Sequence, residues 1–157
     1  MKIFIHIICI FIAVILQTTL LPQIMLLGGM PNIVFLVTLS LIFINRADEA
    51  IWWLGIGGML LEFISPVHFG YYFFPLLIVY LLINLLVKRF FANPSWYISM
   101  IFFFIFSIIF DVIWLVYNYS IDTYTIILAN AVYNVILGVV IYYFFQFYYF
   151  PKEKIKI

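Results

Sequence analysis

Long apolar runs separated by short polar breaks organise this chain. The first run, about 3–21, stays apolar up to Pro22, and 22–30 is a turn containing Gly28 and Gly29. A second run opens at Pro31, a residue suited to the first turn of a helix, and reaches about Asn45. The most polar stretch before the tail follows at 46–49. Further runs cover about 50–64, 71–87, 95–117 and 124–149, with breaks at 65–70, 88–94 and 118–123 and a basic tail at 151–157. A helix needs about 20 apolar residues to cross a bilayer. The pattern therefore predicts an all-α, polytopic membrane protein: a six-helix transmembrane bundle forming one domain over 1–150, with a short tail. Runs two and three are short, since fifteen residues reach only about 22 Å at 1.5 Å each. Either the bilayer thins there or neighbouring helices shelter these two. A re-entrant pair is the competing arrangement.

Composition leads to the same class. Of the 157 residues, 69% are apolar and 8% charged, with mean hydropathy +1.29, whereas a soluble domain is about 25% charged. Too few polar side chains exist to cover a water-facing surface, which excludes a soluble enzyme, a disordered chain and a disulfide scaffold. A net charge of +1 leaves no basic field for nucleic acid. Cys9 is the single cysteine, so no intrachain disulfide forms, and it is expected to be a small buried packing residue. Lys2 followed by an apolar stretch looks like a signal peptide. No A-x-A cleavage pattern follows, so the segment is read as an uncleaved first span.

Charge sets the orientation. With six spans, Lys2, Arg46, Lys88, Arg89, Lys152, Lys154 and Lys156 all fall on one side, which is every basic residue in the chain. Five or seven spans would scatter them. By the positive-inside rule both termini are cytoplasmic, in a multi-pass protein of the cytoplasmic (inner) membrane. Trp52, Trp53, Trp96, Tyr142 and Tyr143 then lie toward the inner edge. Tyr71, Tyr72, Tyr117, Tyr119 and Tyr124 lie toward the outer one, as interfacial aromatics do.

Polar side chains are costly in lipid and face protein, so they map the helix contacts. His6, Cys9, Ala13 and Gln17 form one helical stripe, and Gly55, Gly58 and Glu62 another. Ser107, Asp111, Trp114 and Asn118 form a third, and Asn130, Asn134 and Gly138 a fourth. Amides at these positions bond across helices, and small residues allow close approach. Glu62 and Asp111 are the sharpest cases, because no Lys or Arg is available on their side. Their candidate partners are His68, tyrosine hydroxyls, asparagine side chains, a proton or another protein. His68 and Asp122 read as polar loop residues. The two histidines fall on opposite sides and share no metal, and H-E-x-x-H, C-x-x-C and phosphate-binding glycine loops are absent. The sequence therefore predicts no catalytic residues, no metal and no cofactor.

The run Leu16-Gln17-Thr18-Thr19-Leu20-Leu21-Pro22 opens a longer pattern. It continues through Gly28-Gly29 into Pro31-Asn32, then Gly55-x-Gly57-Gly58-x-Leu60-Leu61-Glu62, then Ser65-Pro66-x-x-x-Gly70, and closes on Asn130-Ala131-Val132-Tyr133-Asn134. In these motifs the chain resembles the bacterial rod shape-determining protein MreD family. That family usually has Asp where Glu62 stands, often Asp where Asn32 stands, and is richer in Gly, Ala and Leu. The resemblance implies a non-catalytic scaffold of the cell-wall elongation complex. Its implied partners are an MreC-like periplasmic scaffold, the actin-like MreB, RodA and a class B transpeptidase, beside the lipid bilayer itself. Gln17, Pro31, Asn32, Gly58, Glu62, Gly70, Asp111, Asn130 and Asn134 are the candidate partner or helix-contact residues. The family is similar in architecture to the substrate-binding S-components of energy-coupling-factor vitamin transporters. The alternative function is therefore a small-molecule-binding transporter subunit, with Glu62, His68, Asp111 and Asn118 around an outer pocket.

Overall fold

A computed structural model describes residues 2–25, 27–65, 69–90, 96–115 and 123–149. His68, Asn118, Asp122 and the basic tail lie outside these. The described residues are almost entirely helical, in six stretches and a single 3-10 turn (Leu21–Ile24), without a strand. The stretches are α1 (Lys2–Thr19), α2 (Ile33–Phe43), a stretch made of α3 (Ala47–Trp52), a π turn (Trp53–Gly57) and α4 (Gly58–Ile64), then α5 (Phe73–Phe90), α6 (Trp96–Leu115) and α7 (Thr123–Tyr149).

The short α2 is the hub of the bundle. At eleven residues it is about 16 Å long, and every residue from Val34 to Phe43 is buried. It touches α1, α3, the π turn, α5, α6 and α7. A helix apolar on all sides belongs in an interior, and neighbouring elements shelter this one. Thr38 and Ser40 are tolerated there because their hydroxyls donate back to Val34 O and Leu36 O, at 2.8 and 2.7 Å. The helix ends where Asn45 adopts the left-handed conformation at φ 61°. Arg46 N then donates to Leu41 O and Asn45 N to Ile42 O, a Schellman stop that turns the chain into 46–49.

The π turn corrects the expected Gly55–Gly58–Glu62 stripe. Its wider winding turns Gly55 out of register: a Cβ there would meet nothing within 4 Å, whereas one on Gly57 would lie 2.8 Å from Val34 Cγ1. Gly57 is therefore the close contact with α2, while Gly58 faces Phe73 and Leu76 of α5. Aromatic residues expected at the membrane edges also divide. Trp52 is exposed, but Trp53, Tyr71 and Tyr142 are buried. Phe43 packs edge-on against Phe103 of α6 at 5.4 Å, in the core.

The polarity of the outer surface is inverted. Leu128, Val132, Ile136, Val140 and Phe144 form an exposed apolar stripe along α7, while Gln17, Asn32, Ser107 and Asn134 are buried. Among the described residues two helices, at 96–113 and 124–149, are apolar and long enough to cross a membrane, and only 28% and 22% of them, respectively, is buried inside the protein.

Candidate functional site

Six of the nine candidate residues meet where the chain enters α2. Asn32 caps that helix, its Oδ1 accepting from Phe35 N at 3.0 Å. Gln17 of α1 adds a second acceptor, taking Val34 N at 3.3 Å. A helix start leaves its first N–H groups without intrahelical partners, and here two side chains from different elements supply them. The entering loop is fixed to α7 in the same way. Asn130 Oδ1 accepts from Met30 N at 2.6 Å, and Asn134 Oδ1 accepts from Asn32 N at 2.9 Å. The other side of each amide reaches α6. Asn130 Nδ2 donates to Asp111 Oδ2 at 3.1 Å, and Asn134 Nδ2 to Ser107 Oγ at 2.7 Å. The four-residue spacing of Asn130 and Asn134 puts both on one face of α7, so each clamps the loop with one end and α6 with the other.

Gly29 makes this approach feasible. A Cβ on it would lie 2.6 Å from Ala129 Cβ and 3.0 Å from Asn130 N. Only a residue without a side chain brings the loop that close to α7. A cavity of about 250 Å³ remains beside the clamp, lined by Gln17, Asn32, Asp111, Asn130 and Asn134, with Pro31 and Tyr72 on its walls. Asp111 is the carboxylate in its lining.

The other three candidates form the junction between α4 and α5. Glu62 is 5% exposed, and its Oε1 accepts from both Tyr72 N, at 2.5 Å, and Phe73 N, at 2.7 Å. A carboxylate at a helix start satisfies free N–H groups and complements the helix dipole. Its Oε2 is buried with no hydrogen-bond partner among the described residues. Gly70 sits in the preceding turn at φ +98°, a region closed to most side chains. Tyr72 joins the two groups, since its N–H is held by Glu62 while its ring lines the cavity. Glu62 does not line that cavity. Its candidate partners in the sequence are side chains, a proton or another protein; among the described residues its Oε1 is held by two backbone donors, a class of partner absent from that set.

A second polar cluster, at the opposite ends of α1 and α7, was not anticipated. Trp53 Nε1 donates to His6 Nδ1 at 3.2 Å. That bond leaves the ring proton on Nε2, which lies 3.2 Å from Glu49 Oε2. Tyr149 donates its hydroxyl to the same carboxylate oxygen. Arg46 pairs with Glu49 Oε1 at 3.4 Å and lies over the Tyr149 ring, 4.7 Å from its centroid. Cys9, expected to be buried, is exposed one turn along α1 from His6. Among the described residues, no three of His, Cys, Asp and Glu come together as metal ligands. Comparisons with family models, with curated proteins and with solved structures find no match to this chain.

Proposed function

We propose that this chain is a multi-pass protein of the cytoplasmic membrane that acts as an MreD-like, non-catalytic scaffold of the wall-elongation complex. On this reading the six helical stretches form the bundle embedded in lipid, with α2 and the broken α3–α4 stretch sheltered inside it. Exposed apolar stripes on long helices suit a lipid surround and are a liability in water. The observation that carries the scaffold reading is what the motif residues bond to. Gln17, Asn32, Asn130, Asn134 and Glu62 hold backbone N–H groups of neighbouring segments, which builds a fixed shape. A fixed helical body acts through lateral helix contacts, and its proposed partners are an MreC-like protein, RodA and a class B transpeptidase, with MreB beneath the membrane.

The cavity beside Asp111 favours one second reading, a transporter subunit that takes a small polar ligand there. A tagged pull-down from native membranes in mild detergent, read by mass spectrometry, separates the two. Recovery of a single-span periplasmic coiled-coil protein with wall-synthesis enzymes supports the scaffold. Recovery of ABC-type ATPases with a coupling membrane subunit overturns it.

A further inference from the structure

We propose that the groove between α1 and α7 binds one anionic phospholipid, its acyl chain along the groove and its phosphate at Arg46. The inference rests on the membrane placement above and is independent of the scaffold role. α1 and α7 flank α2 without packing closely on each other. Between them lies a space of about 840 Å³, floored by Ile33 and Val37 and walled by Cys9, Val140 and Phe144. Sites that hold one medium-sized organic ligand run about 300–1,000 Å³. The groove opens sideways: Val140 is 61% exposed, and Phe144 and Cys9 are exposed too. In a bilayer, acyl chains are what meets such an opening.

The groove is apolar along its length and polar at one end, as a lipid is. Arg46, His6 and Tyr149 line that end, while Glu49 stands behind them and does not line the groove. Glu49 thus orients three groups from three segments; it takes the His6 ring proton and the Tyr149 hydroxyl, and Arg46 is the group that keeps donors for the space. The Arg46 side chain is 41% exposed and gives one nitrogen to Glu49. A guanidinium carries five N–H donors in a fixed fork suited to phosphate. Arg46 is the positively charged side chain in the lining of this end. Basic pockets between helices on the cytoplasmic side select anionic headgroups.

The test presents detergent-purified protein with phosphatidylglycerol and phosphatidylcholine of identical chains and counts retained lipid by native mass spectrometry. Phosphatidylglycerol should be retained about tenfold over phosphatidylcholine. Arg46→Gln should abolish that preference. Val140→Trp, which fills the groove and leaves Arg46 in place, should lower retention of both lipids. Circular dichroism and thermal melting show that each variant is folded. Equal retention of the two lipids by the unaltered protein overturns the site, and so does unchanged retention by folded Val140→Trp. A photoreactive maleimide on Cys9 identifies the occupant in native membranes: a lipid adduct supports the proposal, and a crosslink to a second polypeptide overturns it. Alkaline carbonate extraction runs beside these arms. Release of the chain from membranes would defeat the membrane reading itself, whereas a retained chain without selective lipid defeats this site alone.

Discussion

The two polar ends of the bundle hold it together by different means. At the α2 start, neutral amides bond to backbone N–H groups, one of them also to the Asp111 carboxylate, and most of the participants are buried. At the His6 end, an arginine, a glutamate, a histidine and a tyrosine bond to one another through side chains, and they are partly exposed. Buried amides have no water to fall back on, so losing a partner leaves a desolvated group behind. Half-exposed charges keep access to solvent or headgroups, and their pairing contributes little. The first end is thus built to fix geometry. The second is free to exchange one internal partner for an external one, which is what a lipid site requires.

Breaking the first end should produce the largest effects. Gly29→Val puts a branched side chain where a single Cβ already lies 2.6 Å from Ala129. The loop must leave α7 and forfeit the Asn130 and Asn134 bonds together. A loss of about 3 kcal/mol is expected, measured as the drop in thermal midpoint in detergent. Asn134→Leu keeps the branching and heavy-atom count of the side chain but strands Asn32 N–H and the Ser107 hydroxyl. About 2 kcal/mol should be lost, at the upper end for a helix contact in lipid. A variant as stable as the parent would show that water replaces the amide, and that the clamp is not sealed.

Glu62 sharpens the comparison from within the buried group. Glu62→Gln keeps an oxygen for Tyr72 N and Phe73 N, whereas Glu62→Leu removes it. The leucine variant should lose about 2 kcal/mol and the glutamine variant about half of that. Their difference reads the value of the acceptor separately from the charge. Loss of pull-down partners in Glu62→Gln with an intact fold would mean that the charge itself meets a partner.

Residue type and spacing made the first end legible and hid the second. Asn130 and Asn134 repeat at helical spacing, Gln17 closes a stripe on α1, and Asn32 follows Pro31 at a helix start. Each is an unusual polar residue in an apolar run, and each is found at a contact. Their partners are less visible, because backbone N–H groups carry no residue identity, and the candidate partners for Glu62 accordingly include no backbone donor. The His6 cluster gathers residues 6 and 149 with 46, 49 and 53; the last three follow helical spacing, but no spacing rule joins them to the other two. Trp53 was placed in an aromatic belt by depth alone, although its indole N–H needs an acceptor when buried. Pairing that need with His6, the lone histidine near the same depth, was the available signal. The π turn escaped because glycine-rich helix reads the same in either winding.

The smallest expected effect tests whether the two ends communicate. Asn134 and Tyr149 share α7, fifteen residues or about 22 Å apart. Tyr149→Phe removes the hydroxyl bond to Glu49 but leaves the ring under Arg46, so alone it should cost about 0.5 kcal/mol. Combined with Asn134→Leu, the losses should add to within about 0.5 kcal/mol, as they do for distant sites without shared partners. A scaffold needs only that each end be independently secure. A subunit that opens one end when the other is occupied needs α7 to move as a lever, and the two losses would then depart from additivity by about 1 kcal/mol or more. Additive losses in a thermal double-mutant cycle favour the scaffold on purely mechanical grounds, whichever partners are recovered with it.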